Sequence, residues 1–123
     1  MAKKILIIED EAALRMALEE KFRGEGFEVL TADNGEDGLA LALNSSPDLI
    51  LLDIILPKMD GFGVLNELSK DAAAKKIEVM ILTNLSDSGN VGEMVTRGVS
   101  DYLVKADWTL EDLLEKVKNK LKD

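Results

Sequence analysis

The apolar positions of this chain change period repeatedly from end to end. Residues 5–8 (Ile-Leu-Ile-Ile) form a short β-branched run with no polar alternation, the pattern of a strand buried on both faces. Over residues 11–23, Leu14, Ala17, Leu18 and Phe22 recur at helical spacing, and Gly24 and Gly26 follow as helix-ending glycines. These stretches predict strand β1 and helix α1. Residues 27–31 predict β2, and 34–43 predict α2 with Leu39, Ala42 and Leu43 facing inward. Pro47 breaks the chain before a third buried strand, β3, at 49–52. A turn-rich loop at 57–61 leads into α3 at 62–70, which carries Phe62, Leu65 and Leu68. Residues 79–82 predict β4.

Residues 86–98 hold Val91, Met94 and Val95 on one face, but Gly89, Asn90 and Gly92 interrupt them. This is a helix of low intrinsic propensity, α4. Residues 102–104 predict β5. The clearest helix is α5, at 109–121: Leu110, Leu113, Leu114, Val117 and Leu121 form its stripe, and Thr109 and Asp112 are spaced as a capping box.

Five βα units in succession imply an α/β fold: one doubly wound domain over residues 1–123, a parallel sheet with helices on both faces. No internal repeat, low-complexity segment or linker interrupts it.

Composition narrows the chemistry. The chain has 123 residues, 46% hydrophobic and 32% charged, enough for an ordinary globular core. With neither Cys nor His, disulfides, thiolates, histidine bases and histidine metal ligands are excluded. A net charge of −9 and a pI near 4.5 argue against nucleic acid or anionic lipid as a direct partner. The N-terminal Met-Ala-Lys-Lys-Ile-Leu-Ile-Ile is too short an apolar run for a signal peptide, and no run approaches a membrane span. The expected location is the cytoplasm.

In open α/β sheets ligands bind beyond the carboxyl ends of the strands. There β1 ends in Glu9-Asp10-Glu11, β3 in Asp53, β4 in Thr83 and β5 in Lys105; β2 ends in Thr31-Ala32-Asp33, to one side. Crowded carboxylates repel unless a cation sits among them. Hard divalent cations take oxygen ligands, and a carboxylate can attack phosphorus to give an aspartyl phosphate. Taken singly these residues are commonplace: acids at a helix N-terminus, a strand-end cap, a solvated lysine. Together they suit phosphoryl chemistry on a carboxylate.

Four segments carry a family likeness: Ile-Ile-Glu9-Asp10-Glu11, Leu-Leu-Asp53-Ile-Ile-Leu-Pro57-Lys-Met-Asp60-Gly61, Ile-Leu-Thr83 and Asp101-Tyr102-Leu-Val-Lys105. In this order and spacing the chain resembles the receiver domains of bacterial two-component response regulators, which have a flavodoxin-like fold. The resemblance covers essentially the whole chain. It implies strand order 2-1-3-4-5, with Asp53 as phosphoacceptor. It implies Mg²⁺ as cofactor, held by Asp10, Asp53, the Ile55 backbone carbonyl and, through water, Glu9. Lys105 would pair with the phosphate. Thr83 would be the switch hydroxyl and Tyr102 the switch aromatic. The donor would be a histidine kinase or histidine phosphotransfer protein. A downstream effector would read the α4–β5–α5 face, and a homodimer is left open. Such a domain is a regulatory phosphoacceptor, not an enzyme with a separate substrate. Asp60 and Gly61 read as turn formers.

The sequence departs from the family in places. Lys105 is followed by Ala106 where the family usually has proline, so a trans Lys105–Ala106 bond is expected. Trp108 is read as taking the place of the family's aromatic, the alternative being surface exposure. Ile55 and Leu85, both apolar, flank the expected route of the hydrolytic water, which implies slow self-dephosphorylation. Asn84 stands where the family has a small residue. Other function classes fit less well. A haloacid-dehalogenase-like phosphatase needs a second Asp where Ile55 stands. A flavin or dinucleotide protein needs a phosphate-binding loop where Glu9-Asp10-Glu11 stands. A non-phosphorylated interaction module is the remaining alternative.

Overall fold

Each short apolar run forms a strand. The computed structural model describes residues 2–83, 101–104 and 108–122, with Thr83 and Asp101–Val104 described in backbone alone. The expected α4, Asn84, Leu85, Lys105 and the Lys105–Ala106 bond lie outside the described residues. The strands are β1 (Lys4–Ile8), β2 (Glu28–Ala32), β3 (Leu49–Asp53), β4 (Glu78–Thr83) and β5 (Asp101–Val104). All pair in parallel, in the order β2-β1-β3-β4-β5. Among the described residues the α-helices are α1 (Ala12–Gly24), α2 (Gly35–Ser45), α3 (Gly61–Ser69) and α5 (Leu110–Lys120).

The unbroken apolar runs follow from covering the sheet on both sides. Ile5, Ile7, Leu49 and Leu51 pack with Leu18 and Phe22 of α1 and Leu113 and Val117 of α5. Leu6, Ile8, Ile50 and Leu52 pack on the opposite face with Ala42 of α2 and Val64, Leu65 and Leu68 of α3. Residues Leu49 to Leu52 are all fully buried, so neither face of β3 tolerates a void. Leu51→Ala is therefore expected to lower the unfolding free energy by about 2–5 kcal/mol, measurable by urea denaturation. A loss well under about 1 kcal/mol would mean that this face repacks freely.

The helix ends show local chemistry at work. Thr109 and Asp112 form the expected capping box on α5. Asn34 caps α2 and Asp60 caps α3 through their side chains. At the end of α1, Gly24 is the last helical residue, Glu25 is the cap, and Gly26 takes the left-handed conformation at φ 93.

One reading is corrected, and two details are added. Leu43 does not face inward: it is 44% exposed, because α2 turns Gly35, Gly38 and Ala42 to the core instead. Gly38 lies so close to Ile8 that a Cβ would sit 2.5 Å from its side chain, which draws the helix against β1. A short 3₁₀ turn, Ala74–Lys76, precedes β4 where no element was expected. Trp108 is not simply exposed; it is half-buried against the α1/α5 side of the core.

Helices α1 and α5 are also tied across their surfaces. Lys118 Nζ donates to Glu25 Oε1 at 2.7 Å, and Lys21 pairs with Glu111. The Lys118 hydrogen bond holds the Glu25 carboxyl below its usual range and raises the ammonium in turn. Among the described residues no helix is long and apolar enough to cross a membrane.

Candidate functional site

Strand register builds the site. Ile8 pairs with Leu52, so Glu9 and Asp53 are the next positions on adjacent strands. Asp53 in turn pairs with Leu82, which places Thr83 one step further along the same rim. Thr83 pairs with Val104, so β5 also ends there, and Tyr102 pairs with Ile81 in mid-strand.

Of the residues singled out from sequence, Glu9, Asp10 and Asp53 come together. Each offers a carboxylate oxygen, and the three oxygens lie within 4.8 Å of one another. Glu9 is fully buried and Asp53 is 6% exposed, while Asp10 faces solvent. The cluster is thus enclosed on two sides and open on one. Ile55, two residues beyond Asp53, turns its side chain outward and is 60% exposed.

The donor set fits a hard divalent cation. It is all oxygen, with no nitrogen or sulfur, which suits Mg²⁺ or Ca²⁺ rather than Zn²⁺ or copper. Three carboxylates this close repel one another, and a divalent charge among them relieves that repulsion.

Backbone contacts hold the acids in place. The Glu9 N–H donates to the Ala32 carbonyl (3.0 Å), and the Glu11 N–H donates to Glu9 Oε2 (3.0 Å). After Asp53 the chain makes a tight turn: Lys58 sits at φ 69, and the Met59 N–H donates to the Pro57 carbonyl (2.8 Å). Non-glycine residues adopt positive φ rarely, and such strain collects at functional loops.

Two glycines grip this loop. The Gly35 N–H donates to the Pro57 carbonyl (3.3 Å), and a Cβ on Gly35 would lie 1.8 Å from the Met59 oxygen. The Gly61 N–H donates to the Ile54 carbonyl (2.7 Å), and a Cβ there would lie 2.6 Å from the Asp53 oxygen. Gly61 is therefore more than a turn former: it lets α3 dock directly on the backbone of Asp53 and Ile54. Gly35 had no signal of its own in the sequence: an Asn-Gly pair at the start of a helix reads as an ordinary cap.

A profile of the response regulator receiver domain matches residues 5–118. The chain belongs to the response regulator receiver domain family. The receiver domain is 38% identical over 103 residues to the probable transcriptional regulator ycf27 of Porphyridium aerugineum, covering 84% of this chain and 42% of that protein. It is 39% identical over 105 residues to the response regulator PleD of Caulobacter vibrioides, covering 85% of this chain and 23% of that one. The chain thus spans less than half the length of these curated relatives. A high-resolution structure of the chemotaxis protein CheY4 of Vibrio cholerae superposes on the receiver domain with a TM-score of 0.90 at 26% identity, covering 98% of this chain and 100% of that one.

Proposed function

We propose that this receiver domain is a phosphorylation-dependent signalling switch that takes a phosphoryl group on Asp53 from a histidine kinase or histidine phosphotransfer protein. The observation that carries the reading is the position of Asp53: nearly buried at the end of the central strand, with oxygens of Glu9 and Asp10 within 4.8 Å. An Asp53 carboxylate oxygen attacks phosphorus, the bond from phosphorus to the donor breaks, and an acyl phosphate forms on the strand end.

Asp10 and Asp53 would hold Mg²⁺ directly, with the Ile55 carbonyl as a further ligand and Glu9 acting through water. The cation supplies charge neutralisation at the phosphoryl oxygens. The charges of Glu9 and Asp10 would favour a divalent cation there. Lys105 pairs with the phosphoryl group, Thr83 is the switch hydroxyl and Tyr102 the switch aromatic. The α4–β5–α5 face carries the signal to an effector protein, in the cytoplasm. The domain acts as a regulatory phosphoacceptor that catalyses only its own phosphorylation and dephosphorylation. The exposed, apolar Ile55 offers no polar group to hold an attacking water, which favours a long-lived phosphoryl group.

The test is to incubate the domain with Mg²⁺ and acetyl phosphate and read the intact mass. One added phosphoryl group is expected on the wild type and none on Asp53→Asn. A beryllofluoride complex that changes Trp108 fluorescence is the matching steady-state readout. An adduct that survives in Asp53→Asn would overturn the assignment.

A further inference from the structure

Helix α1 begins differently from its neighbours. Asn34, Asp60 and Thr109 cap α2, α3 and α5 with their side chains, but Glu11 at the start of α1 makes no side-chain cap bond. This is the turn that carries the clustered acids. An uncapped helix start leaves its first N–H groups without a side-chain acceptor from the cap residue.

Arg15 supplies a tie from the other direction. Its Nη1 donates to the Glu9 carbonyl at 2.9 Å and reaches the Asp10 carbonyl at 3.5 Å. Its own backbone N–H donates to the Glu11 carbonyl at 2.9 Å as the first main-chain bond of α1, so the side chain itself ties Glu9 and Asp10. The Arg15 side chain is half-buried and also lines a cleft of ≈ 550 Å³ with Asp33 and Asp37. A guanidinium keeps its charge at any ordinary pH and presents its donors in a fixed plane.

We propose that Arg15 is a positioning residue for the metal-binding acids: it straps the Glu9–Asp10–Glu11 turn into the shape that brings the Glu9 and Asp10 carboxylates to Asp53. The metal part of this inference rests on the Mg²⁺ reading above; the strap itself does not.

The competing view is that Arg15 is only a counter-charge for crowded acids. The two views differ in sign. A mere counter-charge competes with the cation, so its removal would tighten Mg²⁺ binding. A strap supports the ligands, so its removal weakens it. Arg15→Met keeps much of the apolar stem and removes both charge and donors.

Two measurements decide. The first is the Mg²⁺ dissociation constant of wild type and Arg15→Met by calorimetric titration, at low salt and at about 1 M salt, where charge effects are screened within roughly 3 Å. The expected result is a loss of roughly 10- to 100-fold in affinity, the scale for groups that orient metal ligands, persisting at high salt. An unchanged or tighter constant would overturn the proposal. The second is amide hydrogen exchange at Glu11 in metal-free protein, with thermal unfolding as the check that both proteins are folded. Faster exchange at Glu11 in Arg15→Met is expected, because its N–H bond to Glu9 Oε2 depends on the strapped turn; unchanged exchange counts against the strap. If wild type itself failed to bind Mg²⁺, the functional reading would fall, and the exchange result would still decide the role of Arg15.

Discussion

Gly61→Ala is expected to damage both the stability of the domain and its acceptance of phosphoryl groups. The added Cβ would meet the Asp53 oxygen at 2.6 Å and the Ile54 Cα at 2.7 Å. Both are backbone atoms, so no rotamer change relieves the clash. Either α3 retreats or the Asp53–Ile54 backbone shifts, by a distance approaching 1 Å. Overpacking of this kind costs about 1–3 kcal/mol. A misplacement of about 1 Å at reacting groups costs roughly a hundredfold in rate. Urea denaturation and the rate of mass gain with acetyl phosphate read the two effects separately. Gly24→Ala is the matched control: a Cβ there meets nothing within 4 Å, and the change should be neutral or mildly stabilising. Wild-type phosphorylation by a folded Gly61→Ala domain would show that the docking of α3 does not position Asp53.

The second large effect is on stability with and without metal. Binding confined to the folded state adds RT ln(1 + [L]/Kd), about 2.7 kcal/mol when Mg²⁺ stands a hundredfold above its dissociation constant. The thermal midpoint of wild type should rise with Mg²⁺ and level off only logarithmically. Asp10→Asn should lose most of that gain, since one of the three clustered carboxylates is gone. Without metal the same substitution should hold or slightly raise the midpoint, because it removes one charge from a repelling cluster. A Mg²⁺ gain retained in full by Asp10→Asn would remove Asp10 from the ligand set.

Much of this architecture was legible because buried parallel strands and amphipathic helices leave different periods. Residues 5–8 and 49–52 read as strands covered on both faces, and the stripe of α5 marked its inner side. The acids Glu9, Asp10 and Asp53 were legible through their place after those strands. Leu43 was misjudged because helical spacing cannot tell a leucine face from a glycine face. The close packing of Gly38 on Ile8 rotates α2 away from it. The roles of Gly35 and Gly61 were hidden for a related reason: what matters there is a missing side chain and a neighbour far along the chain. Arg15 was hidden because its partners are backbone carbonyls, which every residue has.

The fully buried runs of β1 and β3 carry one more consequence. Ile-Leu-Ile-Ile and Leu-Ile-Leu-Leu are short, uncharged, fully buried apolar segments, the kind that can stack between chains when exposed before folding completes. Each is bounded by charge. Lys3 and Lys4 precede the first and Glu9-Asp10-Glu11 follow it; Asp48 precedes the second and Asp53 closes it. Flanking charges of this kind act as gatekeepers against self-association. The carboxylates that assemble the site in the folded domain therefore also guard the nascent chain. Variants that neutralise them to silence signalling should be followed for aggregation during refolding as well as for loss of phosphorylation.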